Sequence, residues 1–176
     1  HYAPDTPVIH PVNGTNDITG TAEAGSTVVV TDENGNEIGR TTVAADGFWV
    51  ITNPGLADGT VISAIAIDNA NNSSQPASVI VDALAPSITL DTATTGDSTP
   101  ALQGTIDDPT ATVVVTFDGI DYEALNNGDG TWTLADGKLP ELADGSYNVT
   151  VQAIDAAGNE STITDSLVVE AVLFAN

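Results

Sequence analysis

The property that most limits what this chain can become is that it is written twice. "TPVI" at Thr6 to Ile9 returns as "APSI" at Ala85 to Ile88, and "ITGTAEAGSTVVVT" at Ile18 to Thr31 returns as "LQGTIDDPTATVVVT" at Leu102 to Thr116. "DGFW" at Asp46 matches "DGTW" at Asp129, "LADGT" at Leu56 matches "LADGS" at Leu142, and "AIDNANN" at Ala66 matches "AIDAAGN" at Ala153. The offset climbs from 79 (Thr6 to Ala85) to 87 (Asp68 to Asp155). Such drift marks two copies of one unit whose loops differ in length, where insertions are best tolerated.

Within each copy the apolar residues fall in short β-branched runs, such as "STVVVT", "GFWVIT", "VISAIAI" and "ASVIV", separated by Gly, Asn, Asp and Pro. Roughly seven strands at about 8–12-residue spacing predict an antiparallel β-sandwich. The whole chain then reads as all-β, with two tandem domains at residues 1–84 and 85–176. The boundary falls in "VDALAPS", where Pro86 favours an extended entry into the second copy, and so few linking residues predict a stiff connection.

Charge narrows the partners. The 176 residues carry 25 Asp and Glu against two basic residues, Arg40 and Lys138, a formal charge of −23. No basic patch exists to follow a phosphate backbone, so nucleic acid and anionic membrane surfaces are poor partners. Such a charge also opposes compaction unless cations neutralise part of it, and a divalent metal is the expected counter-charge. Cysteine is absent, which removes disulfides, thiolate metal sites and a Cys nucleophile. The sequence has no secretory h-region and no apolar run near 18 residues, and it reads as a monomeric piece of a larger soluble or exported protein without direct membrane insertion.

The blocks "GTAEAGSTVVVTDENGNEIG", "DGFW", "LADGT" and "AIDAAGN", in this order over about residues 6–170, resemble the bacterial Ig-like repeats strung through very large surface adhesins exported by type I secretion. Two departures stand out: "AIDNANN" lacks the loop Gly, and Val61 stands where the second copy has Tyr147. The resemblance implies an extracellular location at the bacterial cell surface, neighbouring Ig-like repeats as partners, and a structural extender role rather than catalysis. The alternatives are a module that itself binds a carbohydrate or protein surface, and an accessory domain pair of a secreted enzyme.

In a seven-strand Ig sandwich, the loops after the second and sixth strands gather at the N-terminal end. On that basis Asp107, Asp108, Asp155 and Asn159 of the second copy, with Asp82 of the linker, are expected to converge between the domains. Asp5, Glu23 and Asp68 form the corresponding set in the first copy. Oxygen-only donors suit Ca²⁺, which takes 6–8 oxygens in flexible geometry, and the resemblance implies Ca²⁺ at such junctions. The competing reading is that Asp and Asn are turn formers that bond nearby backbone groups and tolerate the left-handed region.

Other motifs carry less. "DENGNE" at Asp32 opens like an EF-hand loop but has Val43 where a bidentate Glu is required, so it reads as a hairpin turn. GGxGxD, GxSxG, HExxH and phosphate loops are all absent. His10, the one histidine besides His1, reads as a strand-end surface residue. Trp49 and Trp132 recur at equivalent positions, and core or sheet-face packing is expected for them rather than a sugar-stacking platform. The sequons at Asn13, Asn72, Asn148 and Asn159 carry little weight in a protein of bacterial type.

Overall fold

A computed structural model describes residues 2–91 and 94–170. The chain divides into two compact units, His1–Leu84 and Ala85–Asn176. The described residues form fourteen strands and no helix, seven strands to each unit.

In the first unit the strands are β1 (Val8–Ile9), β2 (Ile18–Thr21), β3 (Thr27–Asp32), β4 (Glu37–Thr42), β5 (Phe48–Ile51), β6 (Val61–Ile67) and β7 (Ala77–Ile80). They pair antiparallel in two sheets, β1-β2-β5 and β4-β3-β6-β7. The reason is legible in β6, where Ile62, Ala64 and Ala66 are buried and the residues between them are not. Successive strand side chains point to opposite faces, so one face of the strand faces the core. Val12, Ile18, Val28, Val30, Trp49, Ile51 and Val81 close that core from the other elements, each large apolar side chain stabilising by about 1.5–3 kcal/mol when fully buried.

The second unit contains β8 (Thr94–Thr95), β9 (Leu102–Thr105), β10 (Thr112–Phe117), β11 (Ile120–Asn126), β12 (Thr131–Leu134), β13 (Gly145–Ile154) and β14 (Glu160–Val169). Here the ladder is continuous, in the order β8-β14-β13-β10-β11-β12-β9. β11 makes the continuity: Ile120 to Ala124 pair with β10, and Leu125 and Asn126 then pair with β12. β8 adds to β14 in parallel. Trp132, Val113, Val115, Leu134, Val149 and Val151 anchor the core.

Both tryptophans lie in the cores, Trp49 at 2% and Trp132 at 0% exposure. Each stands directly opposite a glycine on the neighbouring strand, Gly20 in the first unit and Gly104 in the second. A Cβ on Gly20 would lie 2.5 Å from the Trp49 ring, and one on Gly104 would lie 2.7 Å from Trp132 Nε1. The glycines are therefore the floor under the indoles. The units differ in how they treat the indole N–H: Trp132 Nε1 donates to the Thr89 carbonyl at 2.8 Å, whereas Trp49 Nε1 is buried with no partner among the described residues. Tyr147 marks a second difference, its hydroxyl donating to the Ala143 carbonyl at 2.6 Å and its ring lying 5.4 Å from that of Phe117.

Candidate functional site

The acidic loop that recurs between the sixth and seventh strands of each unit is one small structure built twice. In the second unit Asp155 Oδ1 accepts from the Ala157 and Asn159 backbone N–H groups at 2.9 and 2.8 Å, and Oδ2 accepts from Asn159 Nδ2 at 2.9 Å. The backbone closes the same ring, with Asp155 N–H donating to the Asn159 carbonyl and Gly158 N–H to the Asp155 carbonyl. In the first unit Asp68 repeats every one of these bonds, with Ala70 and Asn72 as side-chain partners and Asn71 in the role of Gly158. The missing loop Gly is thereby explained. Asn71 has φ 64° where Gly158 has φ 87°, and Asn is the residue that best replaces Gly in the left-handed region.

A third copy closes the β3–β4 hairpin. Asp32 Oδ1 accepts from Asn34 and Asn36 N–H, Oδ2 from Asn36 Nδ2, and Gly35 takes φ 83°. The shared pattern is Asp-x-x-(Gly or Asn)-Asn. It is readable in "DENGN", "DNANN" and "DAAGN" by spacing alone, yet only two of these are copies of one another, because the third has no counterpart in the second unit. Asn36 donors, the backbone N–H first, hold the Asp32 carboxyl below its usual pKa, and the Asn72 side chain does the same for Asp68. Bonds to the ionised form favour that form.

The other predicted site residues fall as follows. Asp107 and Asp108 lie on the β9–β10 loop, and since Thr112 pairs with Ile154 they stand at the same end of the second unit as Asp155 and Asn159. Asp107 Oδ1 accepts from Ser87 N–H at 2.8 Å, and Asp108 Oδ1 accepts from the Thr110 N–H and hydroxyl at 2.9 and 2.8 Å. Asp82 belongs to the first unit. Its N–H donates to the Val12 carbonyl and its Oδ1 accepts from Leu84 N–H, beside Thr60 and so at the opposite end of that unit from Asp68.

Glu23 and Asp68 do come together. They line one open pocket of about 320 Å³ with Ala24, Gly25, Ser26, Asn69 and Ala70. Asp5, exposed ahead of β1, is not part of its wall. The donor chemistry around these loops is all oxygen, the kind Ca²⁺ takes. Among the described residues, however, no three His, Asp or Glu side chains form a group able to hold a metal. Asp155 and Asp68 each accept hydrogen bonds from their own loops through both carboxylate oxygens.

His10 sits on the edge of the first sheet with Nδ1 3.0 Å from Thr19 Oγ1. In the second unit Asp97 and Asp136 face one another across two surface loops. Their mutual hydrogen bond pushes the Asp136 carboxyl up, while the Thr99 N–H, ahead of Asp136, holds Asp97 down.

Comparison with known proteins agrees with this geometry. Residues 3–83 match the model of the bacterial Ig domain family and residues 87–170 that of the bacterial Ig-like domain family. A search of curated proteins finds no match. Among solved structures, the fibronectin(III)-like modules of Clostridium thermocellum CbhA are 18% identical, with a TM-score of 0.50 over 99% of this chain and 97% of theirs. A tetra-tandem repeat in the extending region of a large adhesion protein is 23% identical, with a TM-score of 0.42 over 96% of this chain and 50% of its own. A Ca²⁺-stabilised adhesin with which an Antarctic bacterium binds ice is 22% identical, with a TM-score of 0.34 over 95% of this chain and 49% of its own. The chain thus spans about half the length of each of these two solved chains.

Proposed function

Since the chain belongs to the bacterial Ig-like families, with one domain of each in tandem, we propose that it is a pair of extender modules in the stalk of a bacterial cell-surface adhesin. The observation that carries the reading is the repetition itself: each unit has its own complete core, and each matches a bacterial Ig-type family. In this role the domains work outside the cell, joined to further repeats of the same kind, and hold a distant binding domain away from the surface. The fold supplies length, not chemistry.

Ca²⁺ bound by the acidic loops at the domain junction is the finer part of the proposal. It is supported by the charge of −23, by oxygen-only donors and by the pairing of Glu23 with Asp68 at one pocket. Because no three acidic side chains group together among the described residues, such a site draws on carbonyl oxygens and on residues of an adjoining repeat. The ion would supply counter-charge and stiffness.

Two experiments test these parts separately. In the parent adhesin, the pair is replaced by two unrelated Ig-like domains of equal length. Retained adhesion supports the extender reading, whereas lost adhesion with normal surface display favours a module that binds a target itself. For the metal, melting temperature and small-angle scattering are compared in chelator, Ca²⁺ and Mg²⁺ for the parent and for Asp107→Asn, which keeps the acceptor for Ser87 while removing charge. Identical behaviour in all three solutions would remove Ca²⁺ from the account.

A further inference from the structure

The chain contains a single Asp-Pro bond, Asp108–Pro109, in the β9–β10 loop. Proline nitrogen carries no hydrogen. As a tertiary amide it is more basic than an ordinary peptide nitrogen and leaves more easily once protonated. The preceding aspartate places a carboxylate within five-membered-ring reach of the carbonyl carbon of that same bond. An intramolecular nucleophile held in place gains greatly over one in solution.

The fold adds two things that the dipeptide alone lacks. The Asp108 carbonyl oxygen, which would become the oxyanion, accepts from Asn126 Nδ2 at 2.8 Å and from the Ala111 N–H at 3.4 Å. The Asn126 amide is held in that pose, because its second hydrogen goes to the Ala111 carbonyl at 2.9 Å and its Oδ1 accepts from Gly128 N–H at 3.1 Å. Asp108 Oδ1 is anchored by Thr110, leaving Oδ2 for attack. Pro109 is exposed and Asp108 half-buried, so water and acid reach the bond. The equivalent loop of the first unit, "AEAGS", has no proline.

We infer that Asp108–Pro109 is a built-in acid-activated cleavage site, its carbonyl polarised by Asn126. Oδ2 of Asp108 forms a bond to its own carbonyl carbon, and the C–N bond breaks as hydronium protonates Pro109 N. The products are a cyclic anhydride at Asp108 and a new N-terminal proline. Water then opens the anhydride and returns the proton, so the net reaction consumes one water and changes no oxidation state. The charged groups at this end of the unit, Asp107 on the same loop, Asp129 and Asp155 on neighbouring loops and Glu160 at the start of β14, are all acidic and favour proton accumulation there. β9 remains paired with β12 across the nick, so the strands stay docked while the covalent path is cut.

The test uses the whole chain in chelator, which separates it from the Ca²⁺ reading, incubated at a series from about pH 3 to pH 7 around the carboxylate range. Soluble and precipitated material is dissolved together in denaturant and weighed by intact mass spectrometry. Fragments 1–108 and 109–176 should accumulate as pH falls, fail to appear in Asp108→Ala, and form about 10-fold more slowly in Asn126→Ala, below the range for removing an oxyanion donor in an enzyme. The same chain in urea supplies the unpositioned reference and should also cleave more slowly. Cleavage at other bonds, no cleavage of the folded chain, or a rate in urea equal to or above the folded rate would overturn the proposal.

Discussion

Replacing Asp155 by Ala, in chelator, should unfold the second unit at a much lower temperature while leaving the first unit almost unchanged. Asp155 is only 7% exposed and accepts three hydrogen bonds, two from backbone N–H groups and one from Asn159. Bonds to a charged partner contribute about 1.5–3 kcal/mol each when lost singly. The three act as one unit, and the half-exposed loop allows water to rescue part of the loss, so the total comes to about 3 kcal/mol. For a domain of this size that lowers the melting temperature by about 12–24 °C. Calorimetry of the full chain resolves the effect if the units melt separately. Asp155→Asn keeps Oδ1 for the two N–H groups but sets an amide against Asn159 Nδ2, and should cost about 1 kcal/mol. If Asp155→Ala changes stability by less than about 0.5 kcal/mol, the level of an ordinary surface substitution, the loop bonds are not what holds this turn. The same logic makes Asp155→Ala a poor probe of metal binding, since the turn would loosen whether or not an ion was ever there.

Gly104→Ala should destabilise the second unit by about 3 kcal/mol, because the new Cβ would lie 1.9 Å from the Thr89 oxygen and against Trp132; urea unfolding measures it. Trp132→Phe should cost about 1 kcal/mol more than Trp49→Phe, since among the described residues only Trp132 gives up an indole hydrogen bond. Tyr147→Phe should cost about 1 kcal/mol through the Ala143 bond, read from the same unfolding curves. Asp32, Asp68 and Asp129 have folded pKa values below the ordinary 3.8. Their stabilisation is thus full above that pH and is lost as pH falls from there through the folded values. Asp136, shifted upward by Asp97, works the other way and regains stability as it protonates. Melting temperature against pH should fall on the acid side, with a shallower fall in Asp68→Asn for the first unit.

Much of this protein is settled locally, and local means legible. A strand needs only alternating apolar residues, and a turn only Gly, Asn or Asp at a given spacing, so "VISAIAI" and "DAAGN" announce their conformations without help from the rest of the chain. The repeat then gives the strand count and the two-sandwich architecture. Even the exchange of Gly158 for Asn71 follows from backbone sterics at one residue.

What the sequence left open depends on groups far apart in the chain that meet only after packing. Whether an indole N–H finds a carbonyl turns on a partner 43 residues away, present for Trp132 at Thr89 and, among the described residues, absent for Trp49. The need for Gly20 and Gly104 comes from the cross-strand register that sets them opposite those rings. The acids divide the same way: spacing alone places Asp68 and Asp155 in turns, but only the folded loops set which donors their oxygens accept from. Asn126, unremarkable in "NNGDG", acquires a chemical role because β11 carries its amide to the Asp108 carbonyl. A hydrogen bond depends on tenths of an ångström between atoms, and that precision exists only once the two sheets have closed on a core.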